Sequence, residues 1–195
     1  MAAAREAREE VKALVDVHPC RMDHLFEFFQ SPAAAYKHVG RMLKSKEIKY
    51  EKLIREKAGR PYRGFCNWQV SDDCWKHELR LTDVLVLYEG CCQRGHKVDS
   101  QLRPDAELTI SGQLHYIEYH SGSMRGRKIE ERLRLYDSVD NAVMWIVETE
   151  NERRKLLQKA NENSWFGVYS EIVTNPSCDW LNRDGEAGNL PVRNP

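Results

Sequence analysis

Residues 141–149 read Asn-Ala-Val-Met-Trp-Ile-Val-Glu-Thr, a nearly continuous apolar run. A strand with one wet face alternates apolar with polar positions, so an unbroken run predicts a central strand buried on both sides. Helical segments flank it. Residues 124–137 (MRGRKIEERLRLYD) place Ile129, Leu133 and Tyr136 on one inner side, and 151–162 (NERRKLLQKANE) predict another helix. Residues 164–174 (SWFGVYSEIVT) predict a last strand. Upstream, DAELTI (105–110) and QLHYIEYH (113–120) meet at Ser111-Gly112 and predict a hairpin. Residues 72–88, with Leu79, Leu81, Val84, Leu85, Leu87 and Tyr88, predict one helix, and CCQRGHKVDSQLRP after it a loop. Helix, two strands, helix, strand, helix, strand gives a mixed sheet flanked by helices. The tail from Asn175 has few apolar side chains and is expected to be loosely ordered, although Trp180 and Leu181 are candidates to dock.

The first third follows a different plan. Residues 2–16 carry Val11, Leu14 and Val15 on one helical face, and Met22, Leu25, Phe26 and Phe29 repeat that spacing over 21–30. Ser31-Pro32 pairs a favoured N-cap with a favoured first helical residue and opens a third helix, with Ala35, Val39, Met42 and Leu43 facing inward. Strands are expected at 48–54 and 62–70 around a loop containing Gly59 and Pro61. Three helices followed by a strand, a turn and a strand is winged-helix order. In a helix-turn-helix the second helix enters the major groove, and here its solvent side presents Tyr36, Lys37, Arg41 and Lys44. The wing adds Arg55, Lys57, Arg60 and Arg63.

Charge agrees with that division. The 195 residues carry 30 basic and 30 acidic side chains, yet residues 31–65 hold 10 basic against 3 acidic. A local excess of +7 marks the place for an anionic partner. No stretch of apolar residues is long enough to span a membrane, and the N-terminus lacks the apolar core of a signal peptide, so a cytoplasmic protein is expected. Six cysteines are too sparse for a disulfide framework. Cys66, Cys74 and His77 lack the paired knuckles of a zinc site and read as thiols and an ordinary histidine. No phosphate-binding glycine loop is present.

The grouping with chemical content is Pro104-Asp105 and Glu118-Tyr119-His120, on strands expected to be neighbours. Two carboxylates at adjacent strand ends form a site for Mg²⁺ or Mn²⁺, with substrate phosphate and water completing the shell. The spacing resembles the PD-(D/E)xK nuclease pattern, whose third residue is normally a lysine that stabilises charge on phosphate. Here that residue is His120, only partly protonated near neutral pH. Lys128 on the next helix is the cation in position to compensate, and Glu78 or Asp83 a further acid. The bland reading makes Asp105 and Glu118 edge-hairpin residues paired with Arg103, Arg125 or Arg127.

Beyond the motif, the segments KHELRLTDVLVLYEG, RPDAELTI, HYIEYHSGSM, KIEERLRLYD and VMWIVETENERRKLL, behind the N-terminal winged helix, resemble the plasmid replication-relaxation family over residues 10–160. That resemblance implies an α+β chain: a winged helix-turn-helix over 1–70, an α/β PD-(D/E)xK-nuclease-like domain over 71–174, and a tail over 175–195. It matches His77 to the histidine opening the family's middle helix, Asp105 to its Pro-Asp-Ala acid, and Glu118 to the glutamate of its strand. At His120 the family usually has Asp, so the chain departs from the pattern there.

The function expected is binding of double-stranded DNA by a protein of plasmid, phage or other mobile-element type, serving replication, relaxation or their regulation, with the nuclease-like domain degenerate. The alternative is a Mg- or Mn-dependent endonuclease or nickase in which Asp105 and Glu118 hold metal and His120 or Lys128 assists. A second alternative is a protein-interaction module that blocks a host factor through exposed Trp165, Phe166 and Trp180. Winged-helix proteins on inverted repeats act as dimers, so a homodimer is an assembly this reading allows.

Overall fold

The computed structural model describes residues 2–54, 61–71, 74–98, 101–124 and 126–193. They divide after Val86 into two compact units.

The N-terminal unit begins with α1 (Ala2–Val17), followed by β1 (Cys20–Arg21), α2 (Met22–Phe26) and α3 (Pro32–Lys44). The strands β2 (Tyr50–Ile54) and β3 (Tyr62–Cys66) come next, and α4 (Trp75–Leu85) closes the unit. Ser31 caps α3, its hydroxyl accepting from the Ala34 N–H at 3.2 Å, and Pro32 occupies the first turn, where a missing N–H costs nothing. Val11, Leu14 and Val15 of α1, Leu25 of α2, and Val39 and Met42 of α3 close over Phe65 of β3. The sheet is antiparallel in the order β1-β3-β2. The short β1 was not foreseen, because two residues carry no alternation to read.

Helix α4 belongs to this unit instead of opening the next, so the expected boundary at residue 70 moves. Trp75 and Leu79 pack with Cys66 and Val70, and the Thr82 hydroxyl donates to the Pro19 carbonyl at 2.6 Å. Asp83 is buried and receives both the Arg21 guanidinium at 2.5 Å and His24 Nε2 at 2.6 Å. The backbone N–H of Arg21 donates to His24 Nδ1, so the ring's proton sits on Nε2 and points at Asp83. Asp83 and Glu78, expected as spare acids for a nuclease site, are committed here: Glu78 lies 3.6 Å from the buried His18.

The C-terminal unit is built on β4 (Cys91–Arg94), β5 (Ala106–Ile110), β6 (Gln113–His120), α5 (Arg127–Arg134), β7 (Ala142–Val147), α6 (Glu150–Leu157), β8 (Ser164–Val168), α7 (Tyr169–Thr174), β9 (Trp180–Asn182) and β10 (Ala187–Gly188). Its seven-stranded sheet runs β10-β9-β8-β7-β6-β5-β4. The pairs β4–β5, β5–β6, β8–β9 and β9–β10 are antiparallel, whereas β6–β7 and β7–β8 are parallel across α5 and α6. The α+β class and the mixed sheet agree with the sequence reading, and β7 is the buried central strand.

Three local expectations fail for identifiable reasons. Cys91–Arg94 forms an edge strand where a loop was expected, since edge pairing to β5 needs no apolar face. Residues 169–174 turn into α7 instead of prolonging β8, burying Ile172. The tail is not loose over 180–188: Trp180 is 1 % exposed and donates from Nε1 to the Tyr88 hydroxyl at 3.3 Å, and two strands extend the sheet. Phe166 is likewise wholly buried, so neither it nor Trp180 forms an exposed protein-binding patch.

Side-chain alternation along β6 places the candidate acid. Tyr116, Glu118 and His120 share one face, and Tyr116 packs there with Ile129, Leu133 and Tyr136 of the α5 segment and with Val143, Trp145 and Val147 of β7. Tyr136 meets the edge of Trp145 with ring centres 5.7 Å apart, and Trp145 stacks on Phe166 at 6.1 Å. Glu118 and His120 therefore lie beneath a helix, 3 % and 4 % exposed. Among the described residues no helix is long and apolar enough to cross a membrane.

Candidate functional site

Continuing the β5–β6 register by one step beyond Ala106–Ile117 sets Asp105 opposite Glu118 on the same face. Asp105 Oδ2 accepts from the backbone N–H of Tyr119 at 2.9 Å, closing the ladder where β5 begins. The preceding segment is fixed too: the Arg103 Nε donates to the Gly95 carbonyl at 3.0 Å. One pleat further, Glu107 receives the His96 N–H at 2.6 Å and faces His96 Nδ1 at 3.1 Å. The structure thus aligns the two acids read from sequence and adds Glu107 on the same face.

The partner of Glu118 is Arg132, from α5. Its Nε donates to Glu118 Oε2 at 3.3 Å and its Nη2 to Oε1, where the Tyr136 hydroxyl also donates. Arg132 reaches the Arg103 carbonyl as well, at 2.6 Å, and so ties the strand end before Asp105 to α5. Burial, and then the neighbouring Asp105 carboxylate, push Glu118 up to about 7, against the pull of Arg132 and Tyr136. Arg132 was not foreseen. The signal was its place four residues before Tyr136 and three after Ile129, which puts a guanidinium on the margin of the buried face of α5.

His120 stands where a nuclease of this pattern carries a lysine. Burial pushes its imidazole below the usual range, with Glu152 opposing weakly, and its Nδ1 finds no hydrogen-bond partner. A neutral buried imidazole does not supply a fixed positive charge. Lys128 is exposed, and the α5 side chain that reaches Glu118 is Arg132, one turn on. The other pairings considered also differ: Arg127 binds Glu131 at 2.8 Å and Arg103 binds a carbonyl, while Arg125 lies outside the described residues.

Mg²⁺ or Mn²⁺ does not fit the residues as arranged. Both oxygens of Glu118 are engaged by Arg132, and no group of three His, Cys, Asp or Glu side chains among the described residues is able to hold a metal ion. The same holds for Cys66, Cys74 and His77: Cys66 is buried with its thiol donating to the Trp68 carbonyl at 2.9 Å.

On α3, Tyr36, Lys37, Arg41 and Lys44 are all exposed, Tyr36 by 57 % with its ring 5.7 Å from Phe26. The helix has no acidic residue. Arg63 on β3 is exposed and paired with Glu51 at 2.6 Å. Arg55, Lys57 and Arg60 lie outside the described residues.

The model of one family, competence protein CoiA, nuclease-like domain, matches residues 97–173. Those residues run from just before Asp105 through β6, α5, β7, α6 and β8 into α7. The match supports a nuclease-like fold for this part of the chain, on which the resemblance to the replication-relaxation family also converged, and it does not extend to the N-terminal unit. No curated protein matches the chain.

Proposed function

We propose that the chain is a DNA-binding protein in which residues 2–66 act as a winged helix on double-stranded DNA and the nuclease-like domain is catalytically silent. The observation that carries the first part is the exposed face of α3: Tyr36, Lys37, Arg41 and Lys44 on one short helix free of acids. The order helix, strand, helix, helix, two strands, with β3 between β1 and β2, supports a winged-helix reading, and the wing lies on the basic stretch 31–65. A silent nuclease-like domain is supported by Arg132 and Tyr136 occupying Glu118 and by a buried neutral His120 in place of a lysine. A protein of plasmid or mobile-element type, serving replication, relaxation or their regulation, is the setting the sequence resemblance favours.

A second reading, a Mg- or Mn-dependent nuclease using Asp105 and Glu118, is favoured by one observation. The two carboxylates are close enough for Asp105 to help hold Glu118 near 7, as happens where acids share a site. One experiment separates the readings. Supercoiled plasmid is incubated with the protein in EDTA or in Mn²⁺ and run on gels before and after protease digestion. Binding alone gives retardation in EDTA that digestion abolishes, with no nicked circle in Mn²⁺, and Arg41→Ala with Lys44→Ala lowers the salt slope of duplex binding by about one unit per lost phosphate contact. Nicked or linear plasmid that appears in Mn²⁺, survives digestion and is lost in Asp105→Ala establishes the nuclease instead. Duplex affinity unchanged in the α3 double variant overturns the assignment of α3.

A further inference from the structure

At the carboxyl ends of β6 and β7 a cavity of about 440 Å³ opens between the loop after β6 and the first turns of α6. Its size suits one small ligand. Met124, Ile129 and Leu156 give it apolar walls, and its polar groups are few and of mixed kind. His120 lines it, 96 % buried by its 4 % exposure, with an Nδ1 that no group of the protein satisfies. Glu152 lies against the loop backbone at Gly122, where a Cβ would stand 2.7 Å from Glu152 Oε1 and where φ is +74°. The positive φ favours glycine at 122, and without a Cβ there the Glu152 carboxylate stands close against the loop as part of the cavity wall.

The charges around the cavity select among ligands. Lys159 is paired with Glu130 at 2.5 Å, whereas Lys155 is exposed and has no acidic partner among the described residues. A carboxylate beside the orphan imidazole disfavours a bare anion, and the absence of a third metal-ligating side chain disfavours a cation. A molecule with an apolar ring, an edge of donors and acceptors, and a single anionic group meets all of these features. The Glu152 carboxylate and the Asn151 amide match the donor and acceptor edge of a base, and Lys155 at the rim matches a phosphate.

We propose that this cavity binds one nucleotide, base inward and phosphate at Lys155, either as a free nucleoside monophosphate or as an unstacked residue of a DNA strand. It is independent of duplex binding by α3 and of cleavage at Asp105 and Glu118. The test titrates the full chain, by calorimetry, with the four deoxynucleoside 5′-monophosphates, deoxyribose 5-phosphate, inorganic phosphate and a short single-stranded oligonucleotide. The background is Arg41→Ala/Lys44→Ala, so that failure of the duplex reading leaves the result intact. A base-bearing ligand saturates the protein and binds more tightly than deoxyribose 5-phosphate, and Lys155→Ala weakens it about tenfold. Asn151→Ala weakens base-bearing ligands and leaves deoxyribose 5-phosphate unchanged. Both substituted positions are exposed, so the fold is retained. Saturation by mononucleotides identifies the free nucleotide as ligand. Silence of the mononucleotides with Lys155-dependent binding of the oligonucleotide identifies the strand. Base-bearing ligands no tighter than deoxyribose 5-phosphate or inorganic phosphate, or binding indifferent to both substitutions, overturns the proposal.

Discussion

Arg132 grips Glu118 through both carboxylate oxygens, from a helix that packs over the strand on which Glu118 lies. The guanidinium does two jobs, neutralising a carboxylate that is 3 % exposed and hydrogen-bonding the Arg103 carbonyl just before Asp105. The same contact that makes Glu118 tolerable in the core takes its oxygens away from a metal. In this domain, packing and chemistry compete for one carboxylate, and packing holds it.

Removing the guanidinium leaves that carboxylate buried with only Tyr136 to satisfy it. Arg132→Met is expected to destabilise the protein by about 3 kcal/mol at pH 8, the usual consequence of breaking one side of a buried pair. The loss is smaller at pH 5, where Glu118 is protonated and needs no counter-charge. Urea unfolding at the two pH values checks this, and Arg132→Met/Glu118→Gln recovers much of the loss. Equal destabilisation at both pH values contradicts the pairing.

The raised affinity of Glu118 for its proton has its own pH signature. Its folded value of about 7 lies above the unfolded value of about 4.3. Below pH 4 the group is protonated in both states. Between about 4 and 7 the unfolded chain releases the proton and the folded chain keeps it, so this group's contribution to stability falls as pH rises, by on the order of 3 kcal/mol in all, and is flat above 7. Glu118→Gln lacks that term. The stability of the variant relative to the parent therefore increases between pH 4.5 and pH 8, and a pH-independent difference in urea midpoints refutes the shift.

In the N-terminal unit the corresponding test is Asp83. Its carboxylate is the common acceptor for Arg21 and His24, so Asp83→Ala leaves the buried His24 N–H without an acceptor and the Arg21 guanidinium with Asp23 alone, and α2 loses its tie to α4. A loss of about 3 kcal/mol is expected. Asp83→Asn retains one acceptor and loses less. Thermal unfolding of the two variants ranks them, and a parent-like Asp83→Ala removes the network from the account of this unit.

The parts legible in sequence were those with a period or a cap. Val39 and Met42 announced α3, Ser31-Pro32 its start, and the run through Trp145 a buried strand, because each depends on local spacing. Asp105 and Glu118 were legible as a pair because a two-residue hairpin turn fixes their register. Arg132 was not, since which residue on the edge of a helix reaches down to a strand depends on how α5 docks. His120 is legible as the residue in the lysine position of the pattern, with Lys128 as the compensating cation, and only the docking of α5 shows His120 buried with its Nδ1 unpaired. The strand at Cys91 and the docking of Trp180 are tertiary in the same sense: each is decided by an edge that another segment offers, which no local pattern records.

The segment that delivers Asp105 is set by Gly95, which lies inside the stretch 91–104 that the sequence marks as a loop. A Cβ at Gly95 would stand 1.9 Å from the Pro104 carbonyl oxygen and 2.6 Å from its carbon, and the Gly95 carbonyl itself accepts from Arg103. The obstruction is backbone, which is unable to swing aside as a flexible side chain does, so Gly95→Ala forces residues 103–105 away from β4. A cost of about 2 kcal/mol is expected, within the range for overpacking a filled interior. The displacement also pulls Asp105 from the Tyr119 N–H, and the Tyr119 amide then exchanges hydrogen faster by at least the factor that global destabilisation imposes. Hydrogen exchange resolved along β6 checks both parts: protection lost at Tyr119 beyond that lost at Ile117 locates the strain at Asp105, and a uniform loss along the strand shows that Gly95 acts on the unit as a whole.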